Sequence, residues 1–196
     1  MIDVRPLQGA ALEAALEDVA ALRIAVFRDW PYLFDGALDY ERAYLATYRD
    51  NPGALLVGAY DGDRLIGAST STRMEDHAAA FAAPLTQRGF LPETILYGAE
   101  SLILPEWRGQ GLGHRFIVLR EEHALNLGRS HVAFCSVQRP YDHPLRPANA
   151  RTNDAFWRRH GYAPVPGVVA EFGWTDIGGV GETLKRLQFW MRRVTD

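Results

Sequence analysis

The stretch PEWRGQGLGHRF, residues 105–116, constrains the fold of this chain more than any other part of the sequence. An apolar run, ILYGAESLIL at 95–104, leads into it, and apolar residues at helical spacing follow from Leu112 to Leu127. The glycines let backbone N–H groups approach an anion closely, and the start of a helix adds its positive end at the same place. The stretch therefore predicts a strand-to-helix turn that binds a phosphate or pyrophosphate.

Two well-known phosphate-binding patterns do not fit this turn. A Walker loop ends in Gly-Lys-Ser/Thr, whereas His114 and Arg115 follow the last glycine here. A dinucleotide fingerprint needs a third glycine where His114 stands, and it follows the first strand of its domain, whereas several strand candidates precede this turn. A nicotinamide-dependent oxidoreductase is therefore disfavoured. The remaining pattern is Arg-x-x-Gly-x-Gly, formed by Arg108, Gly111 and Gly113.

Composition limits the number of domains and the kinds of partner that we expect. The chain has 196 residues, a formal net charge of -3 and one cysteine, Cys135, and its histidines lack metal-ligand spacing. We expect a single domain over 1–196 that binds no metal and no nucleic acid. No apolar run reaches the roughly 20 residues of a membrane-spanning helix, and the N-terminus lacks the layout of a signal peptide. The sequence predicts a cytoplasmic protein without a membrane partner.

The order of predicted elements is typical of a mixed α/β domain with seven strands and four helices. Residues 75–92 interrupt this order with a short, proline-containing segment, which we interpret as a candidate lid. The predicted strands include 2–4, 54–60, 64–74, 95–104, 131–137 and 183–194. The second and third of these form a hairpin around Asp61-Gly62-Asp63. The predicted helices cover 11–27, 39–49, 112–127 and about 150–160.

The run from Glu100 to Gly113 resembles the acetyl-CoA motif of the GNAT N-acetyltransferase superfamily. In that motif an apolar strand is followed by Pro-Glu-aromatic-Arg and by Gly-x-Gly at the start of a long helix. The stretch from Phe156 to Tyr162 is similar to the family's second element on the CoA side. The resemblance is close over 95–128, and the element order fits nearly the whole chain. It implies a central, mostly antiparallel sheet of about seven strands, splayed between strands 4 and 5 and flanked by about four helices.

The resemblance also implies a cosubstrate, acetyl-CoA, and its placement. The pyrophosphate would lie on the backbone amides of 108–114, and the pantetheine would run along 102–104 like an added strand. The thioester would lie where the sheet splays, and an amide near Leu102 would polarise its carbonyl. The residues expected to bind the cosubstrate are Leu102, Ile103, Leu104, Arg108, Gly109, Gln110, Gly111, Leu112, Gly113, His114, Asn153 and Trp157.

Glu100 is the predicted general base. A lysine-like amine is neutral in only about one part in a thousand at pH 7, so a group must take its proton. Glu100 is the single charged residue in an apolar run. Burying a carboxylate there costs free energy, which indicates that it has a function. The alternative is a structural residue, either facing solvent or paired with an arginine such as Arg73.

The general acid is harder to assign. Many family members carry a tyrosine at the position that matches Trp157, and an indole N–H has no accessible acidity at neutral pH. Tyr141 is the predicted substitute and Tyr162 a second candidate, while a CoA thiolate also leaves without help. Cys135 lies in a buried apolar strand and is interpreted as a small hydrophobic residue rather than an acyl carrier.

The acceptor site is predicted in the loop at 30–36, WPYLFDG. The rings of Tyr32 and Phe34 with the carboxylate of Asp35 suit a cationic or aromatic amine. The alternative is a packed loop in which Asp35 is a turn residue before Gly36.

Together these features predict an acetyl-CoA-dependent N-acetyltransferase that acts on a primary amine of a small molecule. Two alternatives stay open, a protein lysine or N-terminal acetyltransferase and an acyl-CoA-binding sensor domain without turnover. The alternating last strand, with Trp190 on its polar side, makes a homodimer a further expectation.

Overall fold

The computed structural model describes residues 1–195, which form a mixed sheet flanked by helices. The strands are β1 (Ile2–Leu7), β2 (Leu55–Asp61), β3 (Arg64–Arg73), β4 (Ile95–Ile103), β5 (His131–Gln138), β6 (Ala163–Thr175) and β7 (Glu182–Arg193). The α-helices are α1 (Gly9–Phe27), α2 (Leu38–Arg49), α3 (Ala79–Thr86), α4 (Leu112–Asn126) and α5 (Asp154–Arg159). Within these residues no helix is long and apolar enough to cross a membrane.

The strand order in the sheet is β1-β2-β3-β4-β5-β7-β6. Neighbouring strands run antiparallel except for β4 and β5, which are parallel. A parallel pair needs a crossover connection, and α4 provides it between β4 and β5. The predicted fold class and the predominantly antiparallel seven-stranded sheet are confirmed. The fifth helix, α3, belongs to the segment that was predicted as an insertion.

The sheet opens between β4 and β5. These strands pair only where residues 95–97 face 131–133. Beyond that point β4 stays paired with β3 as far as Ile103, and β5 stays paired with β7 as far as Gln138. A bulge in the β3–β4 ladder, where Thr70 faces Glu100 and Ser71 faces Gly98, bends β4 further. The splay predicted from the family resemblance is therefore confirmed, and Glu100 lies beside it.

Two elements and the exposure of one side chain differ from the sequence prediction. β1 extends to Leu7 through Pro6, because it is an edge strand and a proline there removes no ladder hydrogen bond. The last short helix covers only Asp154–Arg159 rather than about 150–160. Trp190 was expected to be exposed, but it is 3% exposed and donates a hydrogen bond to Ser136 Oγ at 3.0 Å. The homodimer stays a prediction, without the support of an exposed Trp190.

The segment 75–92 packs against the sheet. Its helix, α3, buries Phe81 and Leu85, and Arg88 donates a hydrogen bond from Nη2 to the carbonyl oxygen of Pro166 in β6. The candidate lid therefore forms a wall at one side of the splay, next to β6. Its movement stays a prediction.

Arg120 of α4 is buried against the sheet just below the splay. Its Nη2 donates to Ser69 Oγ and to the carbonyl oxygen of Glu100, both at 2.7 Å. It also donates to Ser101 Oγ at 2.9 Å. Since these acceptors belong to β3 and β4, Arg120 fixes the backbone of Glu100 relative to α4.

This contact makes Gly98 a sensitive position. A Cβ atom at Gly98 would lie 2.6 Å from the guanidinium of Arg120, which is 4% exposed and cannot move into water. We expect Gly98→Ala to lower the free energy of unfolding by about 1–3 kcal/mol, the usual cost of overpacking. Urea unfolding measures the change, with Gly181→Ala as control, because a Cβ there meets nothing within 4 Å. Equal stability of the two variants would contradict this role of Arg120.

Candidate active site

A cavity of about 340 Å³ opens at the splay, bounded by β4, β5, β6 and the first three helices. Nine aromatic rings contribute to its lining, and three of them are Tyr32, Tyr97 and Trp174. The remaining polar side chains at its surface are Arg23, Thr47, Asp76, His77, Glu100 and Cys135. A concave, mostly apolar cavity with a few convergent polar groups is typical of a small-molecule site.

Glu100 lies at the wall of this cavity with its side chain 7% exposed. Its Oε1 accepts a hydrogen bond from Tyr44 OH at 2.6 Å and forms an ion pair with Arg23. Its Oε2 accepts a hydrogen bond from Thr70 Oγ1. The alternative partner considered from the sequence, Arg73, instead pairs with Asp76 at 2.6 Å. Glu100 is therefore a buried, oriented carboxylate rather than a solvent-facing one.

Arg23 is shared by two buried carboxylates. It pairs with Glu100 and with Glu41, whose side chain is fully buried. Burial raises the pKa of Glu41, although Arg23 opposes that shift. The guanidinium lies 4.2 Å from the ring centroid of Tyr44 and 5.0 Å from that of Phe27. Arg23 therefore links Glu100, at the wall of the cavity, to a second buried carboxyl group outside the cavity lining.

Burial favours the neutral form of four other titratable groups of the cavity. Burial raises the pKa of Tyr32 and of Tyr97 above the usual value of tyrosine. Burial lowers the pKa of His77, although Glu100 opposes this, and its ring packs 4.8 Å from Phe81. Burial also raises the pKa of the Cys135 thiol. A neutral, buried thiol is a poor nucleophile, in keeping with the interpretation of Cys135 as a small hydrophobic residue.

The glycine-rich turn has the geometry of an anion site. Gly109 and Gly111 adopt positive φ angles of 79° and 83°, and α4 begins at Leu112. Within residues 1–195, no acceptor binds the backbone N–H groups of 109–114. A Cβ at Gly109 or Gly111 would meet nothing within 4 Å, so the space beside these amides is open. The turn can therefore take the oxygens of a phosphate group.

The second predicted element on the CoA side lies next to this turn. A Cβ at Gly113 would lie 3.1 Å from the ring of Phe156 in α5, and the rings of His114 and His160 stack at 5.1 Å. Asn153 precedes the first residue of α5 and is exposed. The ring of Trp157 packs 5.0 Å from that of Phe134, in a cluster that also contains Trp190.

The remaining predicted cosubstrate residues follow β4 into the turn. Leu102 is buried, and Ile103 and Leu104 are half-buried. Arg108 is exposed and donates from Nε to the carbonyl oxygen of Ile103 at 3.1 Å. Gln110 donates its side-chain amide to the carbonyl oxygen of Glu106 at 3.4 Å. β4, the turn and the start of α4 thus present one continuous path from Glu100 to the free amides.

The structure separates the predicted acceptor and acid residues. Tyr32 and Phe34 line the cavity. Asp35 lies outside that lining, with its side chain 52% exposed and 3.4 Å from Arg28. Tyr141 is 83% exposed and stacks under Arg146, away from the cavity. The position of Asp35 agrees with the alternative in which it belongs to the loop and does not bind the acceptor. Tyr141 makes no contact with the cavity.

Arg139 anchors the acceptor loop and was not indicated by the sequence. Its Nε donates to the carbonyl oxygen of Pro31 at 2.8 Å, and its Nη2 donates to that of Tyr32 at 2.6 Å. The same guanidinium binds both carboxylate oxygens of Asp176 at 2.8 Å. Trp174 adds a hydrogen bond from Nε1 to the carbonyl oxygen of Tyr32 at 3.0 Å. These bonds hold the rings of the loop over the cavity.

Comparison with known protein families identifies one family that matches this sequence. The model of the acetyltransferase (GNAT) family matches residues 17–162. A search of curated protein sequences finds no match.

Solved structures share the fold at low sequence identity. A putative acetyltransferase from Acinetobacter baylyi has a TM-score of 0.65 and 12% identity, over 98% of this chain and 93% of that one. YncA, a putative acetyltransferase from Salmonella typhimurium solved with acetyl-CoA, has a TM-score of 0.63 and 11% identity, over 100% and 95%. An aminoglycoside 6'-N-acetyltransferase complexed with coenzyme A has a TM-score of 0.58 and 14% identity, over 100% and 98%.

The resemblance read from the glycine-rich turn is thus confirmed over most of the chain, because the family model extends from α1 to the end of the second CoA-side element. The chain belongs to the GNAT acetyltransferase family.

Proposed function

We propose that this protein transfers the acetyl group of acetyl-CoA to a primary amine of a small molecule by direct attack. The observation that carries the proposal is the position of Glu100, a buried carboxylate at the splay of the sheet, on the wall of a ring-lined cavity. The family and its CoA-bound structural neighbours support the acyl donor. The cavity of about 340 Å³ supports a small acceptor.

The residues of the turn fit the donor's pyrophosphate. The N–H groups of 109–114 lack acceptors within residues 1–195, and open space lies beside Gly109 and Gly111. Arg108 and His114 add side chains at the same place. Anions bind well at such free amides, because the helix end is positive and no side chain stands between the backbone and the oxygens.

The backbone N–H groups of β4 that face the splay could bind the pantetheine and the thioester of the donor. The N–H of Leu104 binds the carbonyl oxygen of Ile66 in β3. Because hydrogen-bonding groups alternate sides along a strand, the N–H groups of Ile103 and Ser101 then point away from β3, towards the splay. These flank Leu102, near which the oxyanion-binding amide is expected. When bound, acetyl-CoA supplies an electrophilic carbonyl and a thiolate leaving group.

Glu100 is proposed as the general base. Glu100 takes a proton from the ammonium, directly or through a water, and the neutral amine nitrogen then attacks the thioester carbonyl carbon. The C–S bond breaks, CoA leaves as a thiolate, and the remaining excess proton of the nitrogen passes to this thiolate or to solvent. Arg23, Tyr44 and Thr70 orient the carboxylate and leave one lone pair of Oε2 without a protein partner within residues 1–195. We assign no protein general acid, because Tyr141 lies outside the cavity and a thiolate leaves unaided.

The turn can be tested through its backbone conformation. We expect Gly111→Val to weaken acetyl-CoA binding about 10- to 100-fold, because a β-branched residue is strained at a φ of 83° and its side chain enters the phosphate space. Isothermal titration measures the dissociation constant. Gly62→Val is the matched control, since Gly62 has a φ of 59° in the β2–β3 hairpin and open space around its Cβ. Equal weakening by both substitutions would contradict the proposed pyrophosphate site.

Arg139 can be tested through the acceptor. We expect Arg139→Ala to raise KM for the amine about tenfold, the equivalent of about one lost charge-assisted hydrogen bond. KM for acetyl-CoA should not change, because Arg139 contacts the acceptor loop and not β4 or the turn. Gln138→Ala, at the exposed neighbouring position, is the control. Steady-state kinetics with each substrate varied separate the two constants, and an equal rise in both would refute a specific anchoring role.

The proposed function itself is tested by mixing the protein with acetyl-CoA and a panel of primary amines and following the release of free thiol. Amine-dependent thiol release with formation of the N-acetylated amine is the expected result. Binding of acetyl-CoA without thiol release in the presence of any amine would instead favour a sensor. Turnover with peptide amines alone would favour a protein acetyltransferase.

A further inference from the structure

We infer that the acceptor is a compact arylalkylamine: a single ammonium head on a short chain that carries one aromatic ring. This inference rests on the proposed function and names the substrate class of the same site. The aromatic wall of the cavity, its charged groups and its volume carry the inference.

The cavity wall is a continuous surface of rings from separate elements. Phe81 of α3 lies 5.6 Å from Phe172 of β6, and Phe172 lies 6.4 Å from Trp174. Trp174 lies 6.1 Å from Tyr32, and Tyr32 lies 4.3 Å from Phe27 of α1. These centroid distances are those of packed aromatic pairs, so the rings form a connected row from α1 to α3. An aromatic ring of the acceptor would extend this packing.

Thr47 and Asp76, two polar side chains of the cavity, are bonded within the protein. Thr47 Oγ1 donates to the carbonyl oxygen of Tyr44 at 2.6 Å. Asp76 accepts hydrogen bonds from Arg73 at 2.6 Å and from Asn51 at 3.0 Å. Because most of the cavity lining is aromatic or aliphatic, a polyhydroxylated acceptor would bury several hydroxyl groups against apolar surface, which disfavours an aminosugar.

The charge distribution places the ammonium head. Glu100 lines the cavity and shares the guanidinium of Arg23 with the buried Glu41. The guanidinium already lies 4.2 Å from the ring of Tyr44, which shows that the ring faces beside Glu100 accept a cation. An ammonium next to Glu100 would pair with its carboxylate and bring the nitrogen to the proposed base.

The size of the cavity limits the rest of the molecule. Its volume of about 340 Å³ is at the lower end of the range for small-ligand sites, roughly 300–1,000 Å³. Part of that space must admit the acetyl group of the donor. One ring and a short chain fit this volume better than an oligosaccharide does.

The test uses the full chain with acetyl-CoA and four probe amines: 2-phenylethylamine, ethylamine, glucosamine and N-acetyl-lysine amide. We expect kcat/KM for 2-phenylethylamine to exceed that for glucosamine by at least about 100-fold and that for ethylamine by about tenfold. Equal or better turnover of glucosamine or of the lysine amide would overturn the inference and leave the proposed function standing.

A lining variant tests the position of the ring. Phe172→Asn should lower the ratio of kcat/KM for 2-phenylethylamine to that for ethylamine about tenfold, whereas Phe172→Leu should keep it within about threefold. A purely structural effect would lower both rates together and leave the ratio unchanged, which would overturn the inference.

Binding separates this inference from the proposed function. If neither the probe amines nor any other primary amine of the panel is acetylated, the proposed function fails, and thermal-shift titration then decides the ligand class. Stabilisation of the protein by 2-phenylethylamine, reduced in Phe172→Asn and absent with glucosamine, would support the aryl site. The lack of stabilisation by 2-phenylethylamine would overturn it.

Discussion

We expect Glu100→Gln to lower kcat about 10²- to 10⁴-fold, the usual contribution of a general base. Glutamine keeps the size of the side chain and can still accept a hydrogen bond from Tyr44, but it cannot take a proton from the attacking amine. The affinity for acetyl-CoA should not change, because the carboxylate contacts neither the turn nor the free amides. Single-turnover kinetics and isothermal titration measure the two quantities.

The matched control is Glu171→Gln, the same chemical change at an exposed position of β6. It should leave kcat within about twofold, as is usual for surface substitutions. A second variant, Thr70→Val, removes the hydrogen bond to Oε2 of Glu100 and should have an intermediate effect. Unchanged kcat in Glu100→Gln with the active amine would remove Glu100 from the mechanism.

The second large effect concerns stability. We expect Arg23→Met to lower the free energy of unfolding by about 3–5 kcal/mol, because it leaves two buried carboxylates without their shared cation. Methionine fills much of the space of the arginine stem, so the lost charge dominates. Arg42→Met on α2 is the control, since Arg42 forms exposed ion pairs and should leave the stability nearly unchanged. Urea unfolding monitored by tryptophan fluorescence measures both variants.

The stability of Arg23→Met should also depend on pH in a defined direction. Burial raises the pKa of Glu41, and the opposing effect of Arg23 is lost in the variant. A carboxyl group whose pKa is higher in the folded than in the unfolded state favours folding below its unfolded pKa of about 4.3, and this contribution disappears as the pH rises through the folded pKa. The stability deficit of the variant should therefore be smallest in acid and grow towards neutral pH. A deficit independent of pH would show that lost packing, not lost charge, is its cause.

The parts of the fold that depend on local patterns could be predicted from the sequence. The glycine-rich turn, the long helix after it and the β2–β3 hairpin carry their own signals, and a motif of adjacent residues identified the family. β6 is different, because Pro164, Pro166 and Gly167 interrupt its strand pattern. The exposure of Trp190 was predicted wrongly, because alternation along a strand indicates on which face of the sheet a side chain lies but not whether other elements cover that face.

The site depends on contacts between distant segments, and these could not be predicted. Glu100 was recognised as an isolated carboxylate in an apolar strand, but its partner Arg23 lies 77 positions earlier, on an apolar helix. Arg139 and His77 occur in stretches that have no motif, and only the tertiary structure brings them to the acceptor loop and the cavity. Asp35 directly follows the lining residue Phe34 in the sequence, yet its side chain is 52% exposed and lies outside the cavity lining.

The most direct test of direct acetyl transfer is a single-turnover reaction with isotope-labelled acetyl-CoA and 2-phenylethylamine, analysed by mass spectrometry of both protein and product. The proposed mechanism predicts that the label appears on the amine nitrogen with the same time course as free CoA, while the protein, including Cys135, stays unmodified throughout. Labelled protein that forms before the product would contradict direct attack. Labelled acetyl-CoA that stays intact with this amine and with every other primary amine of the panel would contradict the proposed enzyme activity itself.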